Sequence, residues 1–265
     1  MKVIKYFRRD GDRFIKYHGT PYEDDWIRVS ALHQLCENVA GLRTAKPLKI
    51  DAPNQHIIYE WLGDLPRIIS LPHEEFVQAM TRLGRCLAQL HEQRTDCEAL
   101  RGSAASYPLE NFGISAGETQ QLQQLPTGLF HGDCWHANVL LGKDGDLVII
   151  DPIMSSWLFG PDRYVLANGA LDLATVHMSL IVSHRIGRLI MLDLEKCIEA
   201  GEALLAGYLS YFNAEALKPI VLRLSRAIAI TYISSYPTRI NTLVGWVKRA
   251  LTRRQIAKVD RMLGW

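Results

Sequence analysis

Residues 130–151 read FHGDCWHANVLLGKDGDLVIID. In this stretch His131-Gly132-Asp133 opens a loop, Asn138 follows Asp133 by five residues, and an apolar run ends on Asp151. The run Leu147-Val148-Ile149-Ile150 predicts a buried strand that presents Asp151 at its end. Lys143-Asp144-Gly145-Asp146 predicts the reversal of a hairpin, because Asp-Gly tolerates positive φ. Strand, turn and strand would bring Asn138 and Asp151 to one edge. An ordinary turn before an ordinary hairpin accounts for His-Gly-Asp alone, but not for two carboxylates and an amide in this order.

These residue types suit one chemistry. Moving a phosphoryl group from ATP to a hydroxyl needs a carboxylate that orients or deprotonates the hydroxyl. It also needs an amide oxygen and a second carboxylate that hold Mg²⁺ against the phosphates. Asp133, Asn138 and Asp151 are the candidates in that order. H-x-D-x-x-x-x-N is the catalytic-loop spacing of protein kinases. HGDCWHANVLL, then VIIDP, then Asp172-Leu173-Ala174 resemble the aminoglycoside phosphotransferase and choline kinase superfamily. The nearest likeness is to its fructosamine-kinase-like branch, where a Trp also follows HGD and a Pro follows the metal aspartate. The resemblance is concentrated in residues 129–175. It implies a two-lobed, protein-kinase-like α+β fold. A small β lobe with one helix and a hinge would take residues 1–62, and a helical lobe with the catalytic loop and metal site residues 63–265. It further implies Asp133 as the catalytic residue, Asn138 and Asp151 as metal ligands, Asp172 as a structural cap on the loop, and ATP and Mg²⁺ as cofactors.

Residues 2–8 and 13–18 alternate apolar and basic around Asp10-Gly11, the signature of a β-hairpin. Lys16 lies on its second strand, before a turn at Gly19-Thr20-Pro21 and a helix predicted from about Asp24 to Cys36. In the family resembled, a lysine placed here pairs with the ATP phosphates; Lys5 on the first strand competes for the role. No G-x-G-x-x-G covers the phosphates, and the tip Arg9-Asp10-Gly11-Asp12 is short. No acid stands between Trp26 and Cys36 to partner the lysine. Glu23, Asp24 and Asp25 lie at the helix start, where they also suit its macrodipole, and Glu37 lies at its end. Glu23 is the expected partner. Residues 49–62 predict strand, turn and strand. The run from His56 to Leu62, closed by Gly63, resembles the hinge that binds adenine through backbone groups, with Glu60 and Leu62 as the contacts.

From Glu74 to Gln93 the periodicity is helical, through Phe76, Met80, Leu83, Leu87 and Leu90. His91 near its end reads as a packed histidine rather than a ligand. Residues 94–128 are loop-rich and are candidates to wall an acceptor site, with the glutamines of 120–124 on an exposed helix face. His136 reads as an exposed loop histidine. Trp157, Phe159, Asp162 and Tyr164 are candidate acceptor contacts or packing residues. Helices are predicted at about 172–183, 193–212, 215–236 and 239–263, with Pro237 separating the last two.

Hydrophobic residues make up 48% of the 265 and charged residues 22%, the balance of an ordinary globular protein. The five cysteines are scattered without a C-x-x-C pair, so neither a zinc site nor a disulfide framework is indicated, and a reducing cytoplasm is expected. No cleavable leader and no bilayer-spanning run are expected. The net charge of +2 hides an asymmetry: from Lys218 to Trp265 ten Lys or Arg stand against a single acid, Asp260. The last helix groups Leu243, Trp246, Val247, Ala250 and Leu251 on one face, with Lys248, Arg249, Arg253, Arg254 and Lys258 around it. That basic surface reads as a solvated face, as the lining for an anionic acceptor, or as a peripheral contact with an anionic membrane. Nucleic acid is the least supported partner, because no reading motif accompanies the charge. The expected activity is ATP- and Mg²⁺-dependent phosphorylation of a hydroxyl on a neutral or anionic small molecule, a sugar or sugar-containing metabolite. Two other readings stay open: a kinase acting on a macromolecule such as a lipopolysaccharide core sugar or a protein, and a nucleotide-binding pseudokinase.

Overall fold

The structure, a computed structural model, describes residues 7–17, 22–93, 108–152, 166–182, 184–185, 190–191 and 194–235, and a part of 250–261. Lys5, Trp157, Phe159, Asp162, Tyr164 and Pro237 lie outside the described residues.

The N-terminal alternation forms β1 (Phe7–Asp10) and β2 (Arg13–Tyr17), reversed through Gly11 at φ 60°, a left-handed conformation that glycine adopts at little cost. Helix α1 (Tyr22–Glu37) follows, starting two residues before the predicted Asp24. Then come β3 (Leu42–Thr44), β4 (Pro47–Asp51) and β5 (His56–Glu60). Four of these strands form one antiparallel sheet in the order β1-β2-β5-β4. Its apolar side is a small core of Val29 from α1 with Ile57 and Tyr59, joined by Phe14, Trp26 and Ala45.

β3 goes elsewhere. β6 (Thr127–Leu129) pairs with β9 (Leu166–Asn168), and β7 (Val139–Leu141) pairs with β8 (Leu147–Ile149) as the predicted hairpin, turned at Gly145. β3 adds to this hairpin in parallel, Leu42 opposite Leu147 and Thr44 opposite Ile149. A strand from the N-terminal side of the expected boundary at residue 62 therefore completes the sheet that presents Asp151.

The helices are α2 (His73–Glu92), α3 (Ala116–Leu122), α4 (Ala170–Val182), α5 (Leu194–Leu209) and α6 (Lys218–Ser235). Every residue of α4 is buried, as expected of a helix apolar nearly all round. α2 buries the five apolar positions its periodicity marked. It meets α5 through glycines: a Cβ on Gly84 would stand 2.3 Å from the Leu204 carbonyl oxygen, and one on Gly207 2.2 Å from that of Thr81. Gly84→Ala should therefore destabilise the protein by about 1–3 kcal/mol through overpacking against backbone. Gly117→Ala, in α3 with open space around it, should stabilise by up to about 1 kcal/mol. Thermal denaturation of both variants checks this, and the opposite ranking would contradict the close approach.

Beyond α6 the described residues place Arg253, Arg254 and Lys258 in solvent and bury Ile256. Ala250, expected on the apolar face, is exposed. Among the described residues no helix is long and apolar enough to cross a membrane.

Candidate active site

The loop 130–138 is suspended by its backbone from two helices, α4 and α1. Asp172, buried in the first turn of α4, accepts the His131 N–H at 2.6 Å on Oδ2 and the Gly132 N–H at 3.0 Å on Oδ1. Gly132 has φ 79°, which lets adjacent amides turn to one carboxylate. Asp172 Oδ2 also meets His91 Nε2 at 3.2 Å, and His91 Nδ1 meets the Tyr208 hydroxyl of α5 at 2.9 Å. Burial alone would raise the Asp172 pKa, but the hydrogen bond and charge of His91, then His131, outweigh it and hold the carboxyl below its usual value.

Two turns further along α4, Ser179 accepts the N–H of His136 at 3.0 Å and its Nδ1 at 2.9 Å, while its own hydroxyl donates to the Val176 carbonyl. His136 is thus buried, not the exposed loop histidine the sequence suggested. The reason is α4, whose buried face meets the loop at that residue. From α1, the buried Arg28 donates through Nη2 to the carbonyls of Phe130 at 3.0 Å and His131 at 2.8 Å, with its guanidinium 5.2 Å above the Phe130 ring.

His131 joins the loop to the end of β8. Its Nδ1 accepts the Asp133 N–H at 3.3 Å and its Nε2 donates to the Ile150 carbonyl at 3.0 Å, both satisfied by one neutral tautomer. Burial pushes its pKa down to about 4, against the pull of Asp172 and with the help of Arg28. The Ile150 N–H returns to the Asn138 carbonyl at 2.9 Å. Asn138 Nδ2 donates to the Asp133 carbonyl at 2.8 Å and to its Oδ2 at 3.3 Å, so the amide oxygen is the end that can face a cation.

Asp151 has φ 67°, a conformation that costs energy for a residue with a side chain and that concentrates at functional sites. Its carboxylate pairs directly with Lys16 Nζ. The Lys16 side chain is 15% exposed and that of Asp151 44%. Burial lowers the Lys16 pKa to about 8, with the charges of Asp133 and Asp25 opposing the shift. Lys16, Asp133, Asn138 and Asp151 are therefore brought together. Glu23 is not among them: it is exposed, whereas Asp25 is 7% exposed and its charge bears on both Lys16 and Tyr59. Residues two apart on a helix face different ways, so with α1 phased to bury Asp25, Glu23 points to solvent.

At the end of β5, the Glu60 N–H donates to the Lys46 carbonyl at 3.0 Å, and the Glu60 carboxylate takes the Lys46 N–H at 3.0 Å. In a regular ladder that N–H would go to the Glu60 carbonyl. The Trp61 N–H donates to the Asp12 carbonyl at 2.8 Å, and its ring stacks on Phe14 and also meets the Arg9 guanidinium. Leu62 follows, half-buried, before Gly63 at φ 85°. The hairpin tip is thus fastened at the Glu60 end of the sheet. Lys16 lies four strand residues away, roughly 13 Å, so the tip does not reach over it.

Arg28, Ser179 and Tyr208 escaped the sequence reading because each acts on residues far away in the chain. Only Arg28 left a signal, a lone charge three residues after Asp25 on the buried side of α1.

Two buried neutral histidines make stability pH-dependent. His177, hydrogen-bonded through Nδ1 to Ser225 Oγ at 2.8 Å, has its pKa lowered to about 4 by burial and then by Lys218, like His131 by burial. Unfolded histidines protonate near 6.5. Between these values the unfolded chain binds more protons, so stability is complete above about pH 6.5 and falls as pH drops toward 4, each histidine contributing on the order of 3 kcal/mol. Urea midpoints should fall steadily between about pH 7 and about pH 5; a flat profile would contradict the buried neutral forms.

No family model matches the sequence, and no curated protein matches it. Solved structures do. A choline/ethanolamine kinase family protein from Mesorhizobium loti is 13% identical, with 94% of this chain and 84% of that one covered and a TM-score of 0.56. A glucosamine kinase in complex with glucosamine, ADP and inorganic phosphate is 16% identical, covering 98% and 81%, with a TM-score of 0.58. A choline kinase from Streptococcus pneumoniae is 13% identical, covering 95% and 89%, with a TM-score of 0.53. At these identities the likeness concerns architecture, and the chain has the kinase-like α+β fold of the choline and glucosamine kinase structures.

Proposed function

We propose that this chain is an ATP- and Mg²⁺-dependent phosphotransferase that phosphorylates a hydroxyl of a small molecule, a sugar or sugar-containing metabolite. The observation that carries the reading is the meeting of Lys16, Asp133, Asn138 and Asp151, with Lys16 paired to Asp151 and Asn138 oriented by Asp133. The donor set fits the metal. Mg²⁺ prefers hard oxygens and is held by one or two protein groups together with substrate phosphates, and Asp151 and the Asn138 amide oxygen are such groups. When bound, the metal would offset the negative charge of the phosphates.

The chain's own groups divide the remaining work. Lys16, partly withdrawn from water, would pair with phosphate oxygens, where its charge acts in a low dielectric. Asp25 rather than Glu23 would hold it. Asp133 would orient the acceptor hydroxyl and take its proton. Because the Glu60 N–H and carboxylate are both given to Lys46, its carbonyl and the Leu62 amide are the hinge groups we assign to adenine.

The glucosamine kinase supports a sugar acceptor. Charge supports a neutral one. Lys218, Arg223 and Arg226 of the basic C-terminal region are paired with Glu202, Glu118 and Asp260, which locally cancels much of the field behind an anionic reading. The exposed Arg253, Arg254 and Lys258 leave a basic excess that still disfavours polycationic aminoglycosides. Calorimetric titration with ADP, with and without Mg²⁺, tests the site, and ADP release over glucose, glucosamine, a sugar phosphate and an aminoglycoside tests the acceptor. Mg²⁺-dependent ADP binding should weaken at least about tenfold in Asp151→Asn. Binding indifferent to Mg²⁺ would overturn the metal assignment, and turnover of the aminoglycoside alone would overturn the acceptor class.

A further inference from the structure

The face of α1 that meets the site carries two buried charges three residues apart, Asp25 and Arg28, at 7% and 5% exposure. Residues so spaced share one helix face. Asp25 acts toward β2, where its charge bears on Lys16. Arg28 acts toward the loop, donating to the carbonyls of Phe130 and His131. These carbonyls lie three and two residues before Asp133, upstream of the His131 and Asn138 contacts that fix Asp133 itself. A guanidinium on buried carbonyls makes charge-assisted hydrogen bonds, and leaving such carbonyls unmet is costly.

We propose that Arg28 is a positioning residue that couples helix α1 to the catalytic loop, so that Lys16 and Asp133 are held by one rigid body. Displacing α1 would break the Arg28 contacts and draw the Asp25 charge away from Lys16 together. What the coupling serves rests on the phosphotransferase reading; the coupling itself does not. Both carbonyls are met by the single Nη2 at the far end of the side chain, so lysine, with a shorter stem and no flat group to lie over the Phe130 ring, is a poor replacement.

Hydrogen–deuterium exchange over residues 129–138, MgADP affinity and the slow hydrolysis of MgATP by water test this in the full chain, in Arg28→Lys and in Arg28→Met. The lysine variant keeps a cation in the buried slot should the methionine variant fail to fold. In Arg28→Lys the amides of 131–133 should exchange at least about tenfold faster, with α2 and α5 unchanged. Hydrolysis should fall at least about thirtyfold while MgADP affinity stays within about threefold, a split that general destabilisation does not produce. Unchanged exchange over 129–138 would overturn the proposal, as would a loss of affinity and hydrolysis in step with faster exchange throughout the molecule. If exchange rises locally but the wild-type chain neither binds MgADP nor hydrolyses MgATP, the coupling stands and the phosphotransferase reading falls.

Discussion

Asp133→Asn is expected to lower phosphoryl transfer by roughly 10²–10⁴-fold while MgADP affinity stays within about threefold. The substitution keeps the shape of the side chain and an oxygen that can still accept from Asn138 Nδ2, 3.3 Å away in the native site. The His131 contact is made by the Asp133 backbone and survives as well. What is lost is the negative charge and the ability to take a proton from the acceptor. That loss belongs to the chemical step, so it should appear in kcat. Initial-rate kinetics with the best acceptor from the sugar screen, beside calorimetric titration of MgADP, separates the two quantities. An affinity loss as large as the rate loss would reassign Asp133 to the nucleotide or the metal.

Asp172→Ala should have the largest effect on the folded state. Its carboxylate is wholly buried and receives two backbone amides and His91. Removing it strands three polar groups without water, which in buried charged networks costs roughly 3–5 kcal/mol. Urea denaturation measures the loss, and exchange at the His131 and Gly132 amides should rise beyond what the lower global stability explains. Tyr208→Phe removes only the outer member of the chain Tyr208–His91–Asp172 and should cost about 1 kcal/mol. A loss below about 1 kcal/mol in Asp172→Ala would mean that Arg28 and Ser179 hold the loop without it.

The parts of the fold readable in advance are those whose cause is local. The 139–149 hairpin is set by its own apolar runs and Asp-Gly turn, and α2 by its apolar spacing. Asp133, Asn138 and Asp151 share one short stretch, so their meeting follows from that hairpin. Lys16 was legible because a strand followed by a helix fixes its place. The helix acid whose charge reaches Lys16 was not: that it is the buried Asp25 rather than the exposed Glu23 depends on the phase of α1, which is decided by which face the sheet and loop cover. His136 seemed exposed because Ser179, 43 residues later, is invisible to local pattern. Arg28 reaches residues more than a hundred positions away. β3 is three residues long, too short for periodicity, and its identity as a strand comes wholly from a distant partner.

That pairing also dictates an order of events during synthesis. Leu42–Thr44 leaves the ribosome about a hundred residues before Leu147–Ile149 exists to receive it. Closing so long a loop is entropically slow, and a parallel pair gains nothing until both strands are present. The sheet beneath Asp151 therefore cannot be completed until the chain has been made through Ile149. A fragment beginning at residue 63 would carry β8 with one edge bare, open to pairing with other chains. Supplying residues 1–62 as a separate polypeptide should cap that edge and recover the soluble form.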